Sequence, residues 1–199
     1  MKPIERGEIL DLAEYETIRP SFRDRVIGEK KLRRVPIGQR ASAVFENRDT
    51  VLLQIQEMLR TERITRPGAI QHEIDTYNEL LPGDDELSCT LMIEIPDKTE
   101  RDAFLVAAKG LEEHIWLRVG SERTKARSID RGGGLEDRTT AVHYLKFALP
   151  TSLADALRGT ASGNLTLTLL EFEIDHPAYR ERAAIPAETI VALGEDLER

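Results

Sequence analysis

Residues 33–63, RRVPIGQRASAVFENRDTVLLQIQEMLRTER, decide the fold of this chain. The apolar stretch from Val35 to Phe45 predicts a β-strand, which the polar turn 46–49 ends. Asn47 and Asp49 in that turn are residue types that cap the amino end of a helix. We therefore expect an amphipathic helix to begin next to the turn and to end at the Arg66-Pro67-Gly68 sequence.

The apolar residues of this predicted helix recur at helical spacing and define one buried face. They are Val51, Leu52, Ile55, Met58 and Leu59. An alternative interpretation makes residues 51–55 a second strand, with the helix beginning near Gln54. We prefer the longer helix.

Working outward, the same criteria predict helices and strands along the rest of the chain. Helices are expected at 4–16, 69–81, 97–110, 152–157 and 189–197. Pro20 is expected to end any helix that precedes it. Strands are expected at 87–95, 114–119, 122–129, 141–149 and 165–174. The pattern indicates one α+β domain, mainly an antiparallel sheet of five or six strands with helices packed on one face. Residues 1–32 form its helical N-terminal arm, and residues 33–199 form its α+β body.

The charge of the chain is unevenly distributed. Residues 1–66 carry 14 Lys and Arg against 11 Asp and Glu, a balance of +3, and the remainder of the net −8 leaves −11 for residues 67–199. An acidic chain repels nucleic acid at long range, so we expect no nucleic-acid partner unless a local basic surface supplies one.

The cysteine and histidine content argues against a metal or redox centre. Cys89 is the only cysteine, and the four histidines show no HExxH or HxH spacing. A cysteine-ligated cluster needs several thiolates, and a zinc site needs three or four converging ligands. We therefore expect no metal site and no cofactor. No apolar run approaches the ~20 residues that span a bilayer, and we expect a cytoplasmic protein without a membrane association.

Glu46 and Glu57 are the best candidates for acid–base chemistry, together with Tyr77 from the next helix. Two carboxylates in contrasting environments are what such chemistry requires. The simpler alternative is a buried network of ion pairs and amides, including Asn47, Arg60 and Asn78, that fixes the strand against the helix; we favour this alternative.

A hairpin around Gly120-Ser121 gathers a second group of candidates, because its two-residue turn suits type II′ geometry. Counting outward pairs residue 118 with 123 and residue 114 with 127, which places several cations and an aromatic ring on one face. They are Trp116, Arg118, Arg123, Lys125 and Arg127. Like charges placed opposite one another are destabilising, so acids from a neighbouring strand, an acidic partner or a phosphate-bearing ligand should compensate them. We favour internal compensation.

Several sequence blocks together resemble a known family. They are LAEYETIRPSFR (12–23), FENRDTVLLQIQEMLRTERI (45–64), EIDTYNELLP (73–82), TLMIEI (90–95) and DHPAY (175–179). The combination is similar to the bacterial and archaeal family called domain of unknown function 3501, over essentially the whole chain. The resemblance implies no reaction. It implies a redox or oxidative-stress setting, because members are often encoded near rubrerythrin-like and iron–sulfur oxidoreductase genes.

These observations favour a non-catalytic accessory or protein-interaction domain whose partner is a redox protein, rubrerythrin-like or an iron–sulfur oxidoreductase. The partner is implied only by the family resemblance. Two alternatives remain: a small-molecule or metal-dependent enzyme that uses the region of Glu46, Glu57 and Tyr77, and a phosphate- or nucleic-acid-binding module that uses the basic 114–127 hairpin. His176, in a loop after a predicted strand, is a further binding candidate.

Overall fold

The computed structural model describes residues 1–129, 136–163 and 169–198. Its helices are α1 (Leu12–Leu32), α2 (Arg48–Thr61), α3 (Pro67–Asn78), α4 (Lys98–Ala107), α5 (Thr151–Ala161) and α6 (Ala187–Leu197). Its strands are β1 (Arg34–Ile37), β2 (Ala41–Phe45), β3 (Glu86–Ile93), β4 (Ile115–Val119), β5 (Glu122–Lys125), β6 (Arg127–Ile129), β7 (Val142–Ala148), β8 (Glu171–His176) and β9 (Tyr179–Ala184). Short 3₁₀ turns occupy Arg6–Glu8 and Leu111–His114.

The α+β class, the antiparallel pairing and the N-terminal helix are confirmed. The strands are divided between two sheets, one with the order β1-β2-β3-β7-β6 and one with the order β5-β4-β8-β9. β9 was not predicted, because its sequence YRERAA (179–184) has little apolar content. Residues 131–134, a glycine-rich loop in the sequence, and the first residues of the predicted strand 165–174 lie outside the described residues.

The two sheets face each other across one apolar interior. The Phe172 ring on β8 makes edge-to-face contacts with Phe45 on β2 and Phe147 on β7, at centroid distances of 6.5 and 5.9 Å. The predicted strand 122–129 is divided at Ala126, so that β5 pairs with β4 and β6 pairs with β7. The chain thus passes from one sheet to the other at this point and joins them into a barrel-like unit.

The predicted strand from Val35 to Phe45 is a hairpin, not one strand. β1 and β2 pair antiparallel around a turn in which Gly38 has φ of +61°. A Cβ atom on Gly38 would lie 2.6 Å from Oη of Tyr179, so both the backbone angle and the close approach require glycine. The Tyr179 hydroxyl donates to the Ile37 carbonyl at 2.5 Å and accepts from the amide of Arg40, which holds β9 beside this hairpin.

The longer of the two alternatives for α2 is confirmed. The helix begins at Arg48, and the Asn47 side chain accepts a hydrogen bond from the Thr50 amide at 2.9 Å. More than one face of α2 is buried, because α1 and α3 pack against it and the N-terminal segment contacts it as well. Val51, Leu53, Ile55, Gln56 and Leu59 are buried, and Leu52 and Met58 are half-buried.

The prediction that Pro20 ends a helix is wrong, because Pro20 lies inside α1. Proline removes one backbone hydrogen bond and disfavours a helix interior. Here Asp11 caps the helix with a capping box, and Tyr15 and Val26 are fully buried against the body of the protein. We infer that this packing offsets the lost bond. The N-terminal arm is therefore a helix packed along α2.

Helices α5 and α6 cover one end of the interior. Ala154, Leu157, Ile190 and Leu193 belong to the same apolar core as the two sheets. The two helices pack closely at Gly194, where a Cβ atom would lie 2.2 Å from the Leu157 carbonyl oxygen.

Candidate functional site

Glu46 follows β2 and is buried beneath α2, with a relative exposure of 3%. Its carboxylate accepts hydrogen bonds from the hydroxyls of Thr50 at 2.5 Å and Thr90 at 2.6 Å, and from the Gln54 amide at 3.1 Å. Thr50 and Gln54 are one and two turns along α2, and Thr90 is on β3, so the carboxylate joins helix to sheet. No cation lies within ion-pair distance of it in the described residues.

Glu57 belongs to a second cluster that joins α2 to α1. Arg19 donates two hydrogen bonds to its carboxylate, at 2.7 and 2.9 Å, and the Tyr15 hydroxyl donates a third at 2.7 Å. The Arg19 hydrogen bonds lower the pKa of Glu57 to about 2. Burial and the neighbouring carboxylate raise the pKa of Tyr15 well above its ordinary value. Glu57 is therefore a fixed anion, not a proton donor near neutral pH.

The structure does not bring Glu46, Glu57 and Tyr77 into one site. Thr50, which holds Glu46, and Glu57 are separated by about 10 Å of helix rise, and the two clusters share no hydrogen-bonding residue. Tyr77 lies on α3 in the apolar cluster that includes Ile74. The supposed acid–base group is thus three separate contacts between neighbouring elements.

The other candidates of this group, Asn47, Asn78 and Arg60, form hydrogen bonds that hold elements of the fold in place. Asn47 caps α2, as described above. Asn78 binds the backbone of Ile4 in both directions, accepting from its amide and donating to its carbonyl, each at 2.9 Å. Arg60 donates to Glu16 on α1 at 2.5 Å. Asn78 thus attaches the N-terminal segment to α3, and Arg60 attaches α1 to α2.

The basic face of the 114–127 hairpin is compensated by acids of the same chain. Arg123 makes a two-pronged contact with Glu173 of β8, at 2.8 and 2.6 Å, and also reaches Asp175. These hydrogen bonds lower the pKa of Glu173. The guanidinium of Arg123 also lies 5.1 Å from the centre of the Trp116 ring. The sequence suggested compensation by acids of a neighbouring strand, and Glu173 lies on β8, the strand next to β4.

The other cations of this hairpin are paired in the same way. Lys125 bonds Glu113 at 2.6 Å and Arg118 lies 3.7 Å from Glu171. The predicted register holds for residues 116–119 opposite 122–125. The predicted pairing of residue 114 with Arg127 is wrong: Arg127 is on β6 of the other sheet, where it pairs with residue 146 and lies 3.5 Å from a carboxylate oxygen of Glu86.

His176 is buried at the end of β8, and both of its ring nitrogens are bonded. Nδ1 accepts from the Ala178 amide, so Nε2 carries the proton and donates to the Lys109 carbonyl, each at 3.1 Å. The ring packs edge-to-face on His114 at 5.1 Å. This arrangement closes the turn between β8 and β9 against the α4 end of the barrel.

The described residues contain no group of three or more His, Cys, Asp or Glu side chains arranged to hold a metal ion. Cys89 is buried in the interior, and its burial raises the pKa of its thiol well above the ordinary value. Within the same described ranges, no helix is both long enough and apolar enough to cross a bilayer.

Two features were not found from the sequence. The first is a buried ion pair between Arg33, at the end of α1, and Asp196 in α6; its second contact, Nη2 to Oδ1, is 3.2 Å. The second is an apolar groove of about 160 Å³ beside α1, which has Ile18, Phe22 and Leu52 among its lining residues. Ile18 is 41% exposed. Both features join segments that are distant in sequence, so no local pattern indicates them.

Comparison with known proteins agrees with this structure. Residues 3–197 match the model of the protein family of unknown function DUF3501, and the chain belongs to that family. A crystal structure from Burkholderia pseudomallei, described as a novel protein of unknown function, is similar at 33% identity and a TM-score of 0.87. The match covers 98% of this chain and 100% of that chain. No match is found among curated proteins.

Proposed function

We propose that this protein is a non-catalytic accessory domain that binds a partner protein through the groove beside α1. The observation that carries the proposal is the exposed Ile18 next to half-buried Phe22 and Leu52. A large apolar side chain at the mouth of a groove offers an anchoring point for an apolar side chain of a partner.

The state of the acid–base candidates supports a non-catalytic role. The carboxylates of Glu46 and Glu57 each accept three hydrogen bonds from side chains of the fold. A general base must instead present a free lone pair to a substrate.

The charge of α1 indicates the chemistry of the partner. Arg23 and Lys31 are exposed on this helix, Lys30 is half-buried, and none of the three forms an ion pair within the described residues. Arg23 follows Phe22 directly, whereas Lys30 and Lys31 lie about 12 Å further along the same helix. The apolar groove therefore has one unpaired cation beside it and two more towards the end of α1. We therefore propose a partner segment with one apolar anchor flanked by acidic residues. A rubrerythrin-like or iron–sulfur redox protein is the partner that the family resemblance suggests.

Native affinity capture from the source cells tests this proposal with three forms of the chain: wild type, Ile18→Asp and the control Val106→Asp. Val106 is 47% exposed on α4, so its variant introduces the same charge at another exposed apolar position. We expect one stoichiometric partner with the wild type and the control, and its loss with Ile18→Asp. No stoichiometric partner, or a partner that Ile18→Asp retains while its unfolding midpoint is unchanged, would contradict the proposal.

A further inference from the structure

A cleft lies between the β4–β5 hairpin and α5, at the end of the barrel that α5 and α6 cover. Its volume is about 420 Å³, which is within the range of roughly 300–1,000 Å³ for small-molecule sites. Such sites often lie at the mouths of β-barrels. The position and size of this cleft therefore suit a small ligand.

The walls of the cleft are apolar along most of their length. Leu117 and Val119 point inward from β4, and Leu153 and Ala156 face them from α5. Leu117 is buried, whereas the other three are half-buried and accessible. A ligand that enters the cleft would therefore cover apolar surface that the fold leaves open, which is favourable.

The rim of the cleft carries one carboxylate, Glu122, which lies on the apolar face of the hairpin. Glu122 pairs directly with Val119, and residues opposite one another in an antiparallel pair share a face. Glu122 is thus on the inward, apolar side of the hairpin, while Arg118, Arg123 and Lys125 are on the outer side. Each of these three cations has an acidic partner, but Glu122 forms no ion pair in the described part of the chain.

Hydroxyl groups complete the rim. Ser121, Thr124 and Ser152 line the cleft, and none of them forms a side-chain hydrogen bond within the described residues. Glu122 is the only ionisable group among the described lining residues. The cleft consequently offers an apolar wall, one carboxylate and acceptors for hydrogen bonds, and it offers no cation for an acidic ligand.

We propose that this cleft binds a small primary amine with a short apolar chain. The ammonium group pairs with the Glu122 carboxylate and donates to the neighbouring hydroxyls, and the chain lies against Leu117, Val119 and Leu153. This site is separate from the α1 groove, because the two share no lining residue.

Amide-detected NMR titration of the full chain with n-hexylamine, hexan-1-ol and hexanoate tests the proposal. The three probes share one apolar chain and differ in the charge of the head group. We expect saturable shifts for n-hexylamine centred on Gly120, Ser121 and Thr124, weaker binding of hexan-1-ol, and no binding of hexanoate. The absence of saturable shifts with n-hexylamine, or hexanoate binding as tightly as the amine, would overturn the proposal.

Four variants locate the bound probe. Leu153→Trp and Ala156→Leu narrow the cleft at half-buried positions, and each should abolish binding of n-hexylamine. Glu122 is exposed, so Glu122→Gln should weaken binding about threefold, as expected for a charge pair at the surface. Glu195→Gln, an exposed carboxylate on α6 outside the cleft, is the matched control and should bind as the wild type does. Unchanged binding by both narrowed variants, or an equal effect of the two glutamine variants, would place the amine elsewhere and refute the site.

Discussion

The outer faces of the two sheets each hold a buried carboxylate, and the two are stabilised in different ways. Glu46, beside β2, is 3% exposed, and Glu173, on β8, is 2% exposed. Glu46 is bonded by two hydroxyls and an amide beneath α2. Glu173 is bonded by Arg123 of β5 and by Arg182 of the neighbouring strand β9.

The side chains that lie over the outer face of each sheet explain why Glu46 and Glu173 have different hydrogen-bond donors. Because α2 lies over Glu46, its Thr50 and Gln54 side chains are the nearest donors. Glu173 is instead bonded by long arginine side chains, which help to bury it while their guanidinium groups remain partly exposed to water. Two equally buried carboxylates can therefore be stabilised by different donors, neutral ones at Glu46 and cations at Glu173. Variants that change either the carboxylate or its donor will distinguish these two kinds of contact.

The largest effect is expected at Asp196, a third buried carboxylate, which pairs with the equally buried Arg33. Asp196→Ala leaves the Arg33 charge buried without its main partner, which costs about 3–5 kcal/mol. Urea unfolding measures the change in the free energy of unfolding. Glu195→Ala, at the exposed neighbouring position, is the control and should change it by less than about 0.5 kcal/mol. Equal effects of the two variants would show that the ion pair contributes nothing.

The next effect concerns Glu57, which is bonded to both a cation and a hydroxyl and so combines the two types of contact. Its pKa is lowered to about 2 in the folded state from an ordinary 4.5. Its contribution to stability is therefore complete above pH 4.5 and is lost as the pH falls towards 2. Because the group is partly exposed, we expect a loss of about 2 kcal/mol between pH 5 and 2.5.

Glu57→Gln supplies the control for that pH dependence. The variant cannot titrate at position 57, so its unfolding free energy should fall by about 2 kcal/mol less than that of the wild type over the same interval. Parallel pH profiles for the two proteins would contradict the low pKa.

A smaller loss of stability is expected when either of the two sheet carboxylates, Glu173 or Glu46, is replaced by glutamine. Glu173→Gln weakens a contact with two partly exposed arginines, and we expect a cost of about 1–2 kcal/mol that decreases as salt is added. Glu46→Gln alters contacts with neutral donors only, so its cost, about 1 kcal/mol, should not depend on salt. Unfolding midpoints of both variants and the wild type at low and high sodium chloride provide the measurement. The same salt dependence for both variants would remove the distinction between them.

The smallest effect is expected at Ser88 on β3, whose main-chain carbonyl accepts from the Glu46 amide. Its hydroxyl is buried and has no hydrogen-bond partner within the described residues. Ser88→Ala should therefore be neutral or stabilising by up to about 1 kcal/mol. Thr90→Val, which removes a hydroxyl that does donate to Glu46, is the comparison and should destabilise. A clear destabilisation by Ser88→Ala would indicate that the hydroxyl has a role in the fold.

Local patterns predicted individual elements well where one physical cause dominates. The spacing of apolar residues predicted α2. The two cap candidates, Asn47 and Asp49, predicted the turn at which it begins, and the structure shows Asn47 as the cap. The alternation of apolar and polar residues from Leu87 onward predicted β3. In each case the interaction that fixes the element involves residues within a few positions of one another.

The partners of the candidate site residues were harder to predict, because the residues that contact one another are distant in sequence. Nothing near Glu57 indicates that Tyr15 and Arg19 will bond it, and nothing near Arg33 indicates Asp196. The same limit applies to β9, whose polar sequence is held in the sheet by its neighbour β8.

The sequence by itself determined the family, the α+β class, the antiparallel pairing and the register of the 116–125 hairpin, because these follow from local periodicity, turn residues and recognisable blocks. The tertiary structure decided that the strands form two sheets, that Pro20 stays within a helix, and which acid compensates each cation. These outcomes depend on the balance of burial, charge pairing and backbone hydrogen bonding between distant segments, and that balance is set only when the segments pack.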